Sequence, residues 1–219
     1  MRRNPVNVVQ DLLDEMYRLV TDYPDGLHMT GRTVADLIAG TACFPGGSGL
    51  WRGNGLGGPL PDNFPERPIM FVGHNFDSVA AYGRAVQQKG EVDSTFWRNL
   101  KEFLGNAGPL DPSDCFFSNA LMGLKPDKPD GKMPPCKAYR HQCQQFLVSQ
   151  VRIVRPRAVV TLGGEAEAQW RQALKLDNSL RVVAHARVMH PSARPKDQKP
   201  DRESWWKAQG LLITSVCCE

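Results

Sequence analysis

None of the six cysteines stands in a C-x-x-C pair, and six in 219 residues are too sparse for a disulfide scaffold. They read as reduced thiols. No apolar run approaches the roughly 20 residues that span a bilayer, so no membrane segment is expected. The first residues, Met1-Arg2-Arg3-Asn4-Pro5, lead into a stretch broken by Asp11, Asp14 and Glu15, which is not the uncharged core of a secretion signal. A cytoplasmic protein is the expectation. A G-x-x-x-x-G-K-[ST] phosphate loop is absent, and no internal repeat is visible.

What is present is ordinary globular material: 41% hydrophobic and 23% charged residues, enough to bury one substantial core. The net charge is +4, and residues 181–207 carry seven Lys or Arg against three Asp or Glu, so the whole excess could reside there. A basic patch of this size suits phosphate contact, although a solvated loop has the same composition.

Asn4 and Pro5 suit a helix cap and first turn. Val9, Leu12, Leu13, Met16 and Val20 follow at helical spacing, which predicts a helix stopping at Pro24-Asp25-Gly26. A second short helix is expected from Thr33 to Ala39. From Gly40 to Pro65, 12 of 26 residues are Gly or Pro, which predicts a long loop. This N-terminal part, residues 1–67, reads as helices and a loop packed on a main domain of residues 68–219.

In that main domain four short Val/Phe/Ile-rich runs read as strands: Ile69 to Val72, Cys115 to Ser118, Ala158 to Leu162 and Val182 to Met189. Helical patterns lie between them. One runs through Phe96, Leu100, Phe103 and Leu104 to Gly105, one from Tyr139 to Val154 before Pro156, and one from Glu165 to Leu174. Strands alternating with helices predict an α/β fold, a three-layer α/β/α sandwich around a parallel sheet of about four strands. Ligands of such sheets sit beyond the carboxyl ends of the strands, here Gly73-His74-Asn75, Asn119-Ala120, Gly163-Gly164 and His190-Pro191-Ser192.

Gly53-Asn54-Gly55-Leu56-Gly57-Gly58 fits the dinucleotide fingerprint G-x-G-x-x-G, but that motif needs a strand before it and a helix after it. Pro59-Leu60-Pro61 follows instead, so the match reads as compositional. It is the one support for a nucleotide-binding alternative.

Three separated segments carry a more specific signal. Ile69-Met70-Phe71-Val72-Gly73-His74-Asn75-Phe76-Asp77-Ser78 is an apolar strand ending at a glycine, with a polar side chain two residues later. Cys115-Phe116-Phe117-Ser118-Asn119 is an apolar strand ending in asparagine, and Val188-Met189-His190-Pro191-Ser192-Ala193-Arg194 carries a histidine-proline-serine turn. Together they resemble the uracil-DNA glycosylase superfamily, in the family's own order. Thr95-Phe96-Trp97-Arg98 is similar to the family's stacking aromatic at a helix start, and Arg155-Pro156-Arg157 through Gly163 to its proline, strand and glycine element. The likeness spans roughly Ile69 to Trp206.

The resemblance implies DNA as partner, a monomer, and hydrolysis of the bond joining uracil or another deaminated base to its sugar. It puts Asn75 at the water, with Asp77 as second choice, and His190 at the base oxygen. Gly73, His74, Phe76, Phe96, Asn119 and Ser192 would surround the base, and Pro191, Ala193, Arg194 and Lys196 would meet the DNA. Phe76 and Asp77 stand where the family has proline and then Tyr or Gly, which leaves a weakly catalytic lesion-binding module as the alternative. Phe96 could equally be a core aromatic, and Asn119 a structural amide. An iron-cluster branch places a cysteine where Gly123 stands. Of the branch's other positions only Cys143 fits, and Cys43 is the one cysteine near its N-terminal pair, so neither cluster nor other cofactor is expected.

Overall fold

The computed structural model describes residues 3–25, 27, 34–37, 47–51, 60–90, 94–107, 110–125, 136–193 and 202–217. Among these residues ten helices and strands, 3₁₀ turns aside, follow in the order α1 (Pro5–Leu19), β1 (Ile69–Gly73), α2 (Val79–Gln87), α3 (Thr95–Gly105), β2 (Cys115–Asn119), α4 (Lys137–Val154), β3 (Ala158–Leu162), α5 (Gly164–Leu176), β4 (Ala184–Val188) and α6 (Arg202–Cys217). All four strands are parallel, in the spatial order β2-β1-β3-β4.

Alternation along β1 explains the layers. Met70 and Val72 face a core shared with α1, α4 and α5, while Ile69 and Phe71 face one shared with α3 and α6. A strand buried on both faces is mostly apolar, and β1, β2 and β3 are buried throughout; the polar Ser118 and Thr161 are tolerated because their hydroxyls donate to Gln150 and Glu167. At the sheet edge, β4 is only partly buried.

Helix α1 begins as its sequence implies, with the Asn4 side chain accepting from the Val6 N–H and Pro5 in the first turn. Its end is a correction: Val20 is already extended, so the helix stops five residues before Pro24. Val20 is buried, and the next two backbone N–H groups, of Thr21 and Asp22, donate to Gln142 Oε1 at 3.0 and 2.9 Å instead of back into the helix. Within the predicted second helix, only Val34–Asp36 forms a 3₁₀ turn; Thr33 and Ala39 lie outside the described residues. The expected start of the last strand is also corrected, because Val182 ends a 3₁₀ turn, 90% exposed, and the strand begins at Ala184.

Two helices were not foreseen. Ser78 caps α2 by accepting from the Ala81 N–H, and α6 packs on β4 and α3. The N-terminal part is joined to the rest: α1 lies on α4, and the Arg3 guanidinium donates to the carbonyls of Ile153 at 2.7 Å and Val154 at 2.8 Å. Of the Gly/Pro-rich stretch, Leu50 and Phe64 are buried, bridging Phe116 and Arg3 respectively. Its Gly53–Gly58 segment lies outside the described residues.

Candidate active site

Three strand ends converge on one cleft of about 310 Å³ at the carboxyl edge of the sheet. Gly73 and His74 come from the end of β1, Asn119 from the end of β2, and His190 and Ser192 from the turn after β4. Asn75, Phe76 and Asp77 line it from the loop after β1, and Phe96 from the first turn of α3. The volume is at the small end for ligand sites and suits one base.

The register of the sheet places the base-reading candidate. Gly73 pairs with Asn119, and the buried Asn119 amide lies so close that a Cβ on Gly73 would sit 2.7 Å from its Oδ1. Glycine at 73 is therefore required by the side chain it faces, because any larger residue must displace that amide. Backbone hydrogen bonds from Ala120 N–H to the Gly73 carbonyl (2.8 Å) and from Leu121 N–H to the His74 carbonyl (2.9 Å) continue the pairing beyond the strands.

His190 has a defined protonation pattern. The Ser192 N–H donates to Nδ1 at 3.1 Å, so Nδ1 is the acceptor and the ring proton of the neutral form resides on Nε2. Burial holds the imidazole below its ordinary value, which keeps it neutral at neutral pH. Beneath it lies Gly163, at φ +92°, where a Cβ would come within 3.0 Å of the His190 Cβ. Phe96 stands beside it with ring centroids 5.4 Å apart, and Trp97 meets Phe96 edge-on at 5.2 Å. Both rings line the cleft; Trp97 is buried in the core, and Phe96 is partly buried against it.

In the loop after β1, the Asn75 Nδ2 donates to the Asp77 carbonyl at 3.4 Å, which turns Oδ1 into the group able to accept from a water. Tertiary pairing holds this loop in place. Lys125 N–H donates to the Asp77 carbonyl (2.9 Å), Val79 N–H to the Lys125 carbonyl (3.2 Å), and the Lys125 ammonium pairs with the Asp77 carboxylate at 3.2 Å. Lys125 and Arg84 also line the cleft, and neither is marked by any sequence motif.

Other assignments fare differently. Pro191 is buried, with its carbonyl accepting from Asn99, so its ring is part of the support of the turn and offers no face to DNA in this state. Ala193 is half-buried and its N–H donates to the His190 carbonyl at 2.7 Å. Arg194 and Lys196 lie outside the described residues, as does Cys43. Cys143 is buried beside Tyr139, and burial pushes its thiol up to about 11. Among the described residues no three His, Cys, Asp or Glu side chains converge as metal ligands would.

Three partly buried imidazoles set a pH dependence of stability. Burial lowers His74, His185 and His190 below the ordinary 6.5, for His185 despite the Glu167 carboxylate 3.0 Å away. Burial raises Glu167, but hydrogen bonds from Arg171 and Thr161 together with the charges of His185 and Arg171 leave it lowered. When pH falls below 6.5 the unfolded chain takes up protons that the folded histidines refuse, so their contribution is complete above that value and declines below it. The thermal midpoint is expected to drop between about pH 7.5 and about pH 5.5, and equal midpoints would contradict the burial of these rings.

A parallel sheet with this cleft at its carboxyl edge defines a class of α/β protein that receives its ligand beyond the strand ends. The family model of the uracil DNA glycosylase superfamily matches residues 61–211, and the chain belongs to that superfamily. Membership supports a function of the DNA glycosylase type in general, with DNA as partner. Comparison of the chain with curated proteins finds no match. Among the described residues no helix is long and apolar enough to cross a membrane.

Proposed function

We propose that the protein hydrolyses the N-glycosidic bond of uracil or a related deaminated base in DNA, acting as a monofunctional glycosylase on an extruded nucleotide. The observation that carries this reading is the neutral His190, with its proton on Nε2, lining one cleft with Phe96, Asn119 and Asn75. Extrusion costs a few kcal/mol, less at a mispaired or single-stranded base. Stacking on Phe96 offsets about 1 to 3 kcal/mol of it. Arg84 and Lys125, which line the cleft, are suited to the flanking phosphates.

The reaction breaks the bond from the sugar C1′ to the base nitrogen, and the electron pair stays on the base. A water held by Asn75 Oδ1 bonds to C1′, and its proton passes to solvent or to the departing base. Since an amide is no general base, Asn75 orients the water without taking its proton. The Nε2–H of His190 donates to the base oxygen on which negative charge develops.

The test is a panel of single- and double-stranded oligonucleotides carrying uracil, hypoxanthine, xanthine or a C5-modified base, incubated with the protein and then treated with alkali. Strand breaks at one or more of these bases are expected. Tight binding with no breaks across the whole panel would replace the enzyme by a lesion-binding module.

A further inference from the structure

The turn that carries His190 is held on both sides by buried side-chain amides from two different helices. On one side Asn99 of α3 donates through Nδ2 to the Pro191 carbonyl; on the other Gln209 of α6 accepts through Oε1 from the Met189 N–H at 2.7 Å. Both amides are nearly inaccessible, at 7% and 6% exposure. We propose that Asn99 and Gln209 form a clamp that positions the His190 imidazole against Phe96, and so are positioning residues for base release. The proposal rests on the glycosylase reading above.

The backbone around His190 needs such partners. β4 ends at Val188, so the partly shielded Met189 N–H and the buried Pro191 carbonyl lie beyond its ladder, and a buried carbonyl left unpaired is costly. Proline has no N–H of its own to anchor the turn. The two helices that supply the partners are themselves locked together. The Gly210 backbone sits so close to the end of α3 that a Cβ there would be 2.4 Å from the Asn106 carbonyl carbon. The Thr214 hydroxyl donates to the Ala107 carbonyl at 2.7 Å, and Trp205 meets Phe103 edge-on at 5.0 Å.

Asn99 lies one helical turn beyond Phe96 on α3. The face that would stack on the base and the donor that would meet its oxygen are thus referred to one rigid helix, and their separation of 5.4 Å between centroids follows from it. Loosening either amide lets the histidine drift while Phe96 stays in place. Misplacement of a catalytic group by about 1 Å can cost about 100-fold in rate.

The two amides play opposite hydrogen-bonding roles, and this makes the idea testable. Gln209→Glu keeps an accepting oxygen for Met189, whereas Gln209→Met removes it at similar volume. Asn99→Asp, when ionised, can only accept and faces the Pro191 carbonyl with no proton to give. Single-turnover base release at saturating enzyme should fall roughly 10- to 100-fold in Asn99→Asp and Gln209→Met, with DNA affinity within about threefold and Gln209→Glu near the parent. Nitrogen chemical shifts of the His190 ring should move in the two impaired variants and not in Gln209→Glu. Asn99→Leu gives a second removal of the donor without introducing charge.

If the amides merely fill space, the two acid substitutions should behave alike and the His190 shifts should match the parent in every folded variant, which overturns the clamp. Should the unsubstituted protein cut no base at all, the proposed function falls, and the ring shifts decide the clamp by themselves.

Discussion

Replacing His190 by alanine is expected to lower single-turnover cleavage by about 100- to 1000-fold, while affinity for uracil-containing DNA stays within a few-fold. The asymmetry follows from when the charge appears. The base oxygen carries little charge until the glycosidic bond begins to break, so a donor aimed at it acts on the transition state far more than on the bound ground state. The structure supplies what such a donor needs: the Ser192 N–H occupies Nδ1, burial keeps the ring neutral, and Gly163 permits its close seat. The competing idea, that His190 only supports its turn, implies loss of thermal stability and DNA affinity together with an unchanged chemical step. Single-turnover rates read beside melting temperature separate the two, and a rate within about threefold of the parent would remove His190 from the chemistry.

The second large effect concerns base choice. Asn119→Asp is expected to weaken uracil excision roughly 10- to 100-fold, as the loss of a paired hydrogen bond to a base edge implies. The asparagine amide can accept from the uracil ring N–H and donate to the neighbouring carbonyl, whereas an ionised carboxylate only accepts. Cytosine presents an amino donor in place of that carbonyl, so slow cytosine excision is expected to emerge in the same variant. Gly73→Ala should act through the same amide, because its new Cβ would fall 2.7 Å from Asn119 Oδ1 and push it aside. The measurement is kcat/KM on matched oligonucleotides carrying uracil or cytosine. Parent-like uracil activity in Asn119→Asp would return Asn119 to a structural role.

Much of this molecule is legible along the chain. The doubly buried strands β1, β2 and β3 are short apolar runs, and α3, α4 and α5 show apolar residues at helical spacing. Helix α2 is short, nine residues with Gly83 inside it, and although Val79, Tyr82 and Val86 recur at helical spacing only Ala85 is buried, so its clearest start signal is the capping Ser78. In α6 the apolar residues face both ways, with Ile213 buried and Leu211 and Leu212 exposed. Asn99, Gln209 and Lys125 belong to no motif. They matter because of partners 92, 20 and 48 residues away in the chain.

The sequence by itself determined the strand ends and their residues. Gly73, Asn75, Asn119 and His190 follow apolar runs, and a parallel sheet must present such ends at one edge, since its strands all point one way. Only the tertiary structure decided that these ends share one cleft, for that depends on the strand order β2-β1-β3-β4 and on the register that sets Gly73 against Asn119. It also decided the state of His190. A ring's proton position and its burial are properties of what surrounds it, here Ser192, Gly163 and Phe96, which packing brings to it and local sequence pattern does not encode.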